Sequence, residues 1–300
     1  MIRENRGFNL IELMISILVA SIIVAGLYSL MTSSVVNFGI SKGSAVAGAS
    51  VRRVDSTFND LLFQTGFMNY NRVRTYAYFH QRNNTNALFS GWGENQVIRV
   101  QQDTNTDSNG SDMLKIRFFG SSVEDNTHNG SGGGNADGYV FDCQGQPVPN
   151  TDEMELIFYV RTKGNSKGLI CRQMVIGSNT ASDVVIDPNV IHMRVQVGTS
   201  IGGAVGQTGA QSAFYRVEGN ALKAISGSSS VLPDWKDINL LRYALVLSVP
   251  AGQKLVKRGA EFPLFPDDTG TPKYTVLSTA ADANNVHRVI NGSVQIINKL

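Results

Sequence analysis

A run of residues without charge constrains this chain more than any other feature. From Leu13 to Ser41 there is no Asp, Glu, Lys or Arg, and the run is preceded by Glu12 and by a basic flank of Arg3 and Arg6. Phe8 to Met31 would make about 36 Å of helix at roughly 1.5 Å per residue, enough to cross a hydrocarbon core of about 30 Å. An ordinary secretory signal has a shorter apolar core ending in a small-residue cleavage site. Here the apolar run passes into helix-compatible sequence, so cleavage after it is not expected. The arginines stand ahead of the span, and the next basic residues are Lys42, Arg52 and Arg53. The N-terminus is therefore expected to stay cytoplasmic and the bulk of the chain to be exported.

Glu12 is the single charge within this span. A carboxylate in a membrane helix costs about 2.5–3.5 kcal/mol on insertion scales at the helix centre, less near the interface, and such residues usually have a partner. A plain signal anchor has no use for one. Arg6, Gly7, Phe8 and Glu12, followed by the apolar run, resemble the class III signal of type IV prepilins. The resemblance implies that prepilin peptidase cuts after Gly7, that Phe8 becomes the N-methylated first residue, and that Glu12, then fifth in the mature chain, meets the N-terminal amine of a neighbouring subunit.

Composition fits export of a sizeable domain. The formal charge is +2, which gives no strong field for nucleic acid or an anionic membrane surface. The residues after the helix, in a chain 42% hydrophobic overall, can bury one large core or two small ones. The chain has two cysteines, Cys143 and Cys171, and an exported pair is expected as a disulfide rather than a metal site. Closing that loop would stabilise the fold by roughly 3–4 kcal/mol in the chain-entropy model.

Val51, Val54, Phe58, Leu61, Leu62 and Thr65 follow a three-and-four spacing, with Arg52, Arg53, Asp55, Asn59 and Asp60 on the other faces. Residues 44–65 thus read as an amphipathic helix ending near Gly66, with an apolar stripe that needs a sheet to lie on. Gly26, Gly39, Gly43 and Gly48 each weaken helical propensity by up to about 1 kcal/mol relative to Ala, which predicts a kink or melted stretch between Gly39 and Gly48. Strands are predicted at Val97–Val100, Met113–Phe119, Met154–Arg161, Leu169–Val175, Val190–Val197 and Leu240–Val249. In the last, Leu241, Tyr243, Leu245, Leu247 and Val249 share one face. Gln102–Asp112, Ser121–Gly138 and Thr199–Gly209 read as mobile loops.

The ordered blocks Leu61 to Phe67, Asp142 to Gly145, Phe158 to Val160 with Leu169 to Arg172, Met193 to Gly198, Trp235 before Leu241 to Leu245, and His287 to Val289 through Ile297 and Asn298 resemble the PilW family of minor pilins. The family commonly has a cysteine soon after the helix-ending Gly-aromatic pair. Asn69 and Tyr70 occupy that neighbourhood here, so an extra disulfide is not expected. The family is related to the J-type pseudopilin of type II secretion.

No enzyme constellation is visible. His80, His128, His192 and His287 lack metal-ligand spacing and are expected as surface or structural residues. The two Gly-x-Ser-x-Gly matches, at Gly39–Gly43 and Gly164–Gly168, lie along the helix and in a turn between strands, neither of which makes a nucleophile elbow. Glycines 130 and 132–134 are not followed by the Lys-Ser/Thr of a phosphate loop. Asp103, Asn105, Asp107, Asn109 and Asp112 offer oxygens at alternate positions, but Ser108 and Leu114 stand where an EF-hand needs Gly and Glu, and turn chemistry explains the loop equally well. Tyr70, Tyr76, Tyr78 and Phe79 near Arg72 and Arg74 could stack sugars or single-stranded DNA, and an edge strand accounts for them more simply.

The sequence thus predicts an α+β, pilin-like fold. It comprises a leader (1–7), a transmembrane helix (8–31), an amphipathic continuation (32–66) and an antiparallel β-rich domain (67–300) of one sheet or two. No catalytic site, metal or cofactor is expected. The resemblance implies a single-pass subunit of the inner membrane, with its C-terminal domain periplasmic, that enters the pilus near its tip and primes assembly for adhesion, twitching motility and DNA uptake. Its implied partners are other minor pilins, the major pilin, prepilin peptidase, the inner-membrane assembly platform and, through the helix, membrane lipid; no specific nucleic acid is predicted. The alternatives are a minor pseudopilin of type II secretion and a tip-located ligand-binding module.

Overall fold

The computed structural model describes residues 10–68, 79–81, 91–123, 135–162, 167–178, 180–201, 211–225, 232–250, 260–265, 273–275 and 285–296. Helix α1 runs unbroken from Leu10 to Phe63. Its N-terminal part is exposed, including Leu13, Ile17, Ile22, Leu27 and Phe38. From Gly43 onward one stripe is buried: Gly43, Ala47, Ser50, Val54, Phe58, Leu61 and Leu62. The melted stretch expected between Gly39 and Gly48 is absent. The physical reason is packing: small side chains at 43, 47 and 50 let the backbone approach the sheet closely, and tertiary contact offsets the weak helical propensity.

The helix closes where expected. Gly66 takes φ 72°, a left-handed conformation that a residue with a Cβ adopts only at a cost. Its amide donates to Arg117 O at 2.9 Å, so the turn out of the helix feeds directly into the sheet.

Twelve strands follow among the described residues. The first sheet is a meander of β1 (Ile98–Gln102), β2 (Asp112–Phe119), β3 (Glu153–Arg161), β4 (Gly168–Val175) and β5 (Ala181–Asp187), in that order. The remaining strands are β6 (Val190–Ile201), β7 (Gln211–Glu218), β8 (Ala221–Ala224), β9 (Leu240–Pro250), β10 (Glu261–Pro263), β11 (Lys273–Thr275) and β12 (Asn285–Gln295). The second sheet has the order β12-β9-β6-β7-β8, and β10 with β11 forms a small ribbon. Every strand pairing is antiparallel.

The six predicted strands correspond to β1, β2, β3, β4, β6 and β9. Two loop expectations need correction. β6 continues to Ile201, into the stretch expected as a loop from Thr199, because its second half pairs with β7 from Gln196 to Ile201. Gln102–Asp112, expected as mobile, holds a 3-10 turn at Thr106–Ser108, fastened by Asp103 N donating to Ser111 O at 3.0 Å.

Both sheets and the helix share one core. Phe58 of α1 meets Phe158 of β3 and Tyr243 of β9 edge-on, each with ring centroids 4.9 Å apart. The face Leu241, Tyr243, Leu245, Leu247 and Val249 predicted for β9 is buried in this core. The outer face of the second sheet carries a smaller cluster in which Leu264 and Phe265 cover Ala244 and Val246.

Candidate assembly site

The N-terminal half of α1 is the one long apolar surface left uncovered by the rest of the described chain. The helix is long and apolar enough to cross a membrane, judged by length and composition. Glu12 lies in its first turn and is exposed, and Ser16 Oγ donates to Glu12 O at 2.7 Å. A lone carboxylate on an apolar helix surface can serve as the acceptor for a cation brought by another molecule. Gly7 and Phe8 lie outside the described residues.

The lower half of α1 is fastened to both sheets by polar contacts that spacing did not reveal. Tyr243 Oη donates toward Asn59 Oδ1 at 2.8 Å and lies 3.1 Å from Asp55 Oδ1, so these two residues, expected on the open faces, flank the stripe instead. Burial, and then the Asp55 carboxylate, push the Tyr243 hydroxyl well above the usual phenol range. Arg53 pairs with buried Asp187 at the end of β5, and Asn189 Nδ2 donates to Ser50 Oγ at 2.8 Å. Tyr243 reaches the helix by lying across Gly292 of β12, its register partner. A Cβ at Gly292 would sit 2.1 Å from Tyr243 Cζ, so only glycine leaves the ring its path.

The sheets are joined at the start of β2. β6 pairs with β7 only from Gln196 onward, so amides earlier on that edge need other acceptors. Met193 N donates to Ser111 Oγ at 3.1 Å and Val195 N to Asp112 Oδ2 at 2.8 Å. Arg194 Nη1 donates to Asp112 Oδ1 at 2.7 Å, and His192 Nδ1 donates to Asn109 O at 3.0 Å. Burial pushes the Asp112 carboxyl up to about 6 despite the Arg194 guanidinium. Burial, with Arg194 beside it, pushes the His192 imidazole down to about 4.

The structure links Cys143 to Cys171 with a Cα–Cα distance of 6.2 Å. The bond ties the turn that precedes Pro147 to the middle of β4. Cys143 N donates to Gln173 Oε1 at 2.8 Å and Gln173 Nε2 to Asp142 Oδ2 at 2.9 Å, so the turn is positioned independently of the sulfurs.

The oxygens that suggested calcium do not converge. Asp103 pairs with Arg161 and Asp112 with Arg194, while Asn105 caps the 3-10 turn by accepting from Asp107 N at 2.9 Å. No group of three or more metal-ligating acids, histidines or cysteines occurs among the described residues. His192 and His287 are buried; His128 lies outside the described residues. Of the proposed aromatic patch, residues 70–78 lie outside the described residues. Phe79 is buried, stacked on Phe119 at 5.1 Å with the Arg117 guanidinium over it.

Residues 2–28 match the family described as the prokaryotic N-terminal methylation motif. Among solved structures the chain is similar to a type IV-like pilin from Thermus thermophilus, at 12% identity and a TM-score of 0.37, covering 84% of this chain and 98% of that one. No curated protein matches the sequence. The methylation motif stands at the head of a long apolar helix whose C-terminal half packs on two antiparallel sheets. A membrane-anchored chain fits the same motif and the apolar helix that carries it.

Proposed function

We propose that the protein is a minor type IV pilin that enters the filament near its tip and helps to prime assembly. The observation that carries the proposal is the methylation motif at residues 2–28, placed on a helix whose N-terminal half is uncovered and whose C-terminal half is built into the folded domain. In this reading prepilin peptidase cuts after Gly7, Phe8 is N-methylated, and the exposed apolar helix moves from lipid into the filament interior. Both surroundings are apolar, so the transfer costs little. The head of two five-stranded sheets is bulky for a subunit repeated along a thin filament, which favours low copy number at one end.

The test is to shear filaments from cells, separate them from membranes, and read the protein's N-terminus by mass spectrometry. N-methyl-Phe8 in substoichiometric amounts relative to the major pilin is the expected outcome. An intact Met1 in filaments, or recovery solely with a secretion apparatus, would overturn the reading.

A further inference from the structure

The outer face of the first sheet holds a cluster of charges sealed from water. Lys115 of β2 and Glu155 of β3 both have side chains with 0% exposure, and Lys115 Nζ lies 2.8 Å from Glu155 Oε1. The register places Arg117 opposite Glu155 and Lys115 opposite Ile157, so Lys115 and Glu155 are diagonal neighbours on one face. A lysine side chain spans that diagonal without strain. Trp92 covers them: its Nε1 donates to Glu155 Oε2 at 2.8 Å, and Lys115 Nζ sits 4.5 Å from its ring centroid. Arg117 is engaged separately, by Glu153 and by the carbonyls of Gly93 and His80.

We propose that Lys115 Nζ and the Glu155 side-chain carboxyl condense into an isopeptide bond, so that β2 and β3 are joined covalently. Two opposite charges with no water around them carry a desolvation cost that attraction only partly offsets, and an amide removes both. Burial draws the Lys115 amine below the usual lysine range, toward the neutral, nucleophilic form. The ammonium passes its proton to Glu155, giving an amine and a carboxylic acid. The Nζ lone pair then attacks Cδ. Trp92 Nε1–H holds Oε2, where negative charge develops, as an oxyanion donor does. The Oε1 hydroxyl takes a proton from Nζ and leaves as water; the Nζ–Cδ bond forms, the Cδ–Oε1 bond breaks, and nothing is oxidised or reduced. Fixed placement of the two groups supplies the effective concentration that the condensation lacks in solution.

The surface pairs Lys223–Glu218 and Lys236–Asp234, with side chains 54%/42% and 57%/75% exposed, are internal controls that should stay unlinked. The experiment is proteolysis and tandem mass spectrometry of the full-length wild-type protein, reduced and alkylated. The expected result is a branched peptide joining Lys115 to Glu155, lighter by one water than its two linear parts, with loss of Lys115 labelling by an amine reagent in denaturant. Lys115→Arg should yield the linear Glu155 peptide. Only linear peptides from the wild type, with Lys115 fully labelled, would overturn the proposal; any branched fraction supports it.

Discussion

Glu12 and Asp112 are both carboxylates, and their surroundings give them opposite uses. Glu12 is exposed on an apolar helix surface, whereas Asp112 is consumed inside the fold by Arg194 and the Val195 amide. Replacing Glu12 by Leu should leave membrane levels of the protein equal or higher, because a charge is removed from an apolar span, yet lower its level in sheared filaments several-fold. Immunoblots of the two fractions check this; equal filament levels would show that the carboxylate does not guide assembly. At the sheet junction, pH acts through two groups of opposite sign. Asp112 titrates near 6 in the fold against 3.8 ordinarily, so its contribution to stability is full below 3.8 and is lost as pH rises through about 6. His192 titrates near 4 against 6.5, so its contribution is full above 6.5 and is lost as pH falls through about 4. The two slopes oppose each other between pH 4 and 6. His192→Gln removes one of them, and the variant's urea midpoint should fall more steeply than that of the wild type as pH is raised from about 4 to about 6.

At the scale of elements, Tyr243 is one of the contacts that fasten α1 to the strands, beside Arg53–Asp187 and Ser50–Asn189. Tyr243→Phe removes the hydroxyl shared with Asp55 and Asn59 and should cost about 0.5–1.5 kcal/mol of unfolding free energy. Gly292→Val places side-chain atoms where the Tyr243 ring lies and should cost about 1–3 kcal/mol or more, through overpacking and displacement of the ring from the helix. Denaturant unfolding of the detergent-solubilised chain measures both; a neutral Gly292→Val would show that the ring has another path. The disulfide belongs to this scale too, since it ties a turn to β4. Cys143→Ser should lower stability by about 2–4 kcal/mol under oxidising conditions and have no effect once the wild type is reduced.

At the scale of the whole molecule, Phe58 is where helix and both sheets meet, with Phe158 on one side and Tyr243 on the other. Phe58→Ala should cost about 3–5 kcal/mol and lower the thermal midpoint of the folded domain, as followed by circular dichroism. The transmembrane-length helix, the amphipathic stripe, its end near Gly66 and six strands, five of them central and β1 at an edge, were legible in the sequence. Each depends on local periodicity or on one residue's backbone preference, and neither needs a distant partner. β5, β8 and β12, which lie at sheet edges, and β7 beside β8, were not legible: a strand with one solvated face mixes polar and apolar residues and loses the signal of a buried run. The continuity of α1 past Gly43 was likewise decided by the sheet beneath it. The sequence by itself determined that a charge-poor helix leads this chain, that Glu12 interrupts its apolar character, and that a β-rich domain follows. Only the tertiary structure decided that Asp55 and Asn59 meet Tyr243, that Asp112 completes the open edge of β6, and that Lys115 and Glu155 are sealed under Trp92. Those contacts join residues far apart in the chain, and no periodicity records a partner that folding alone brings near.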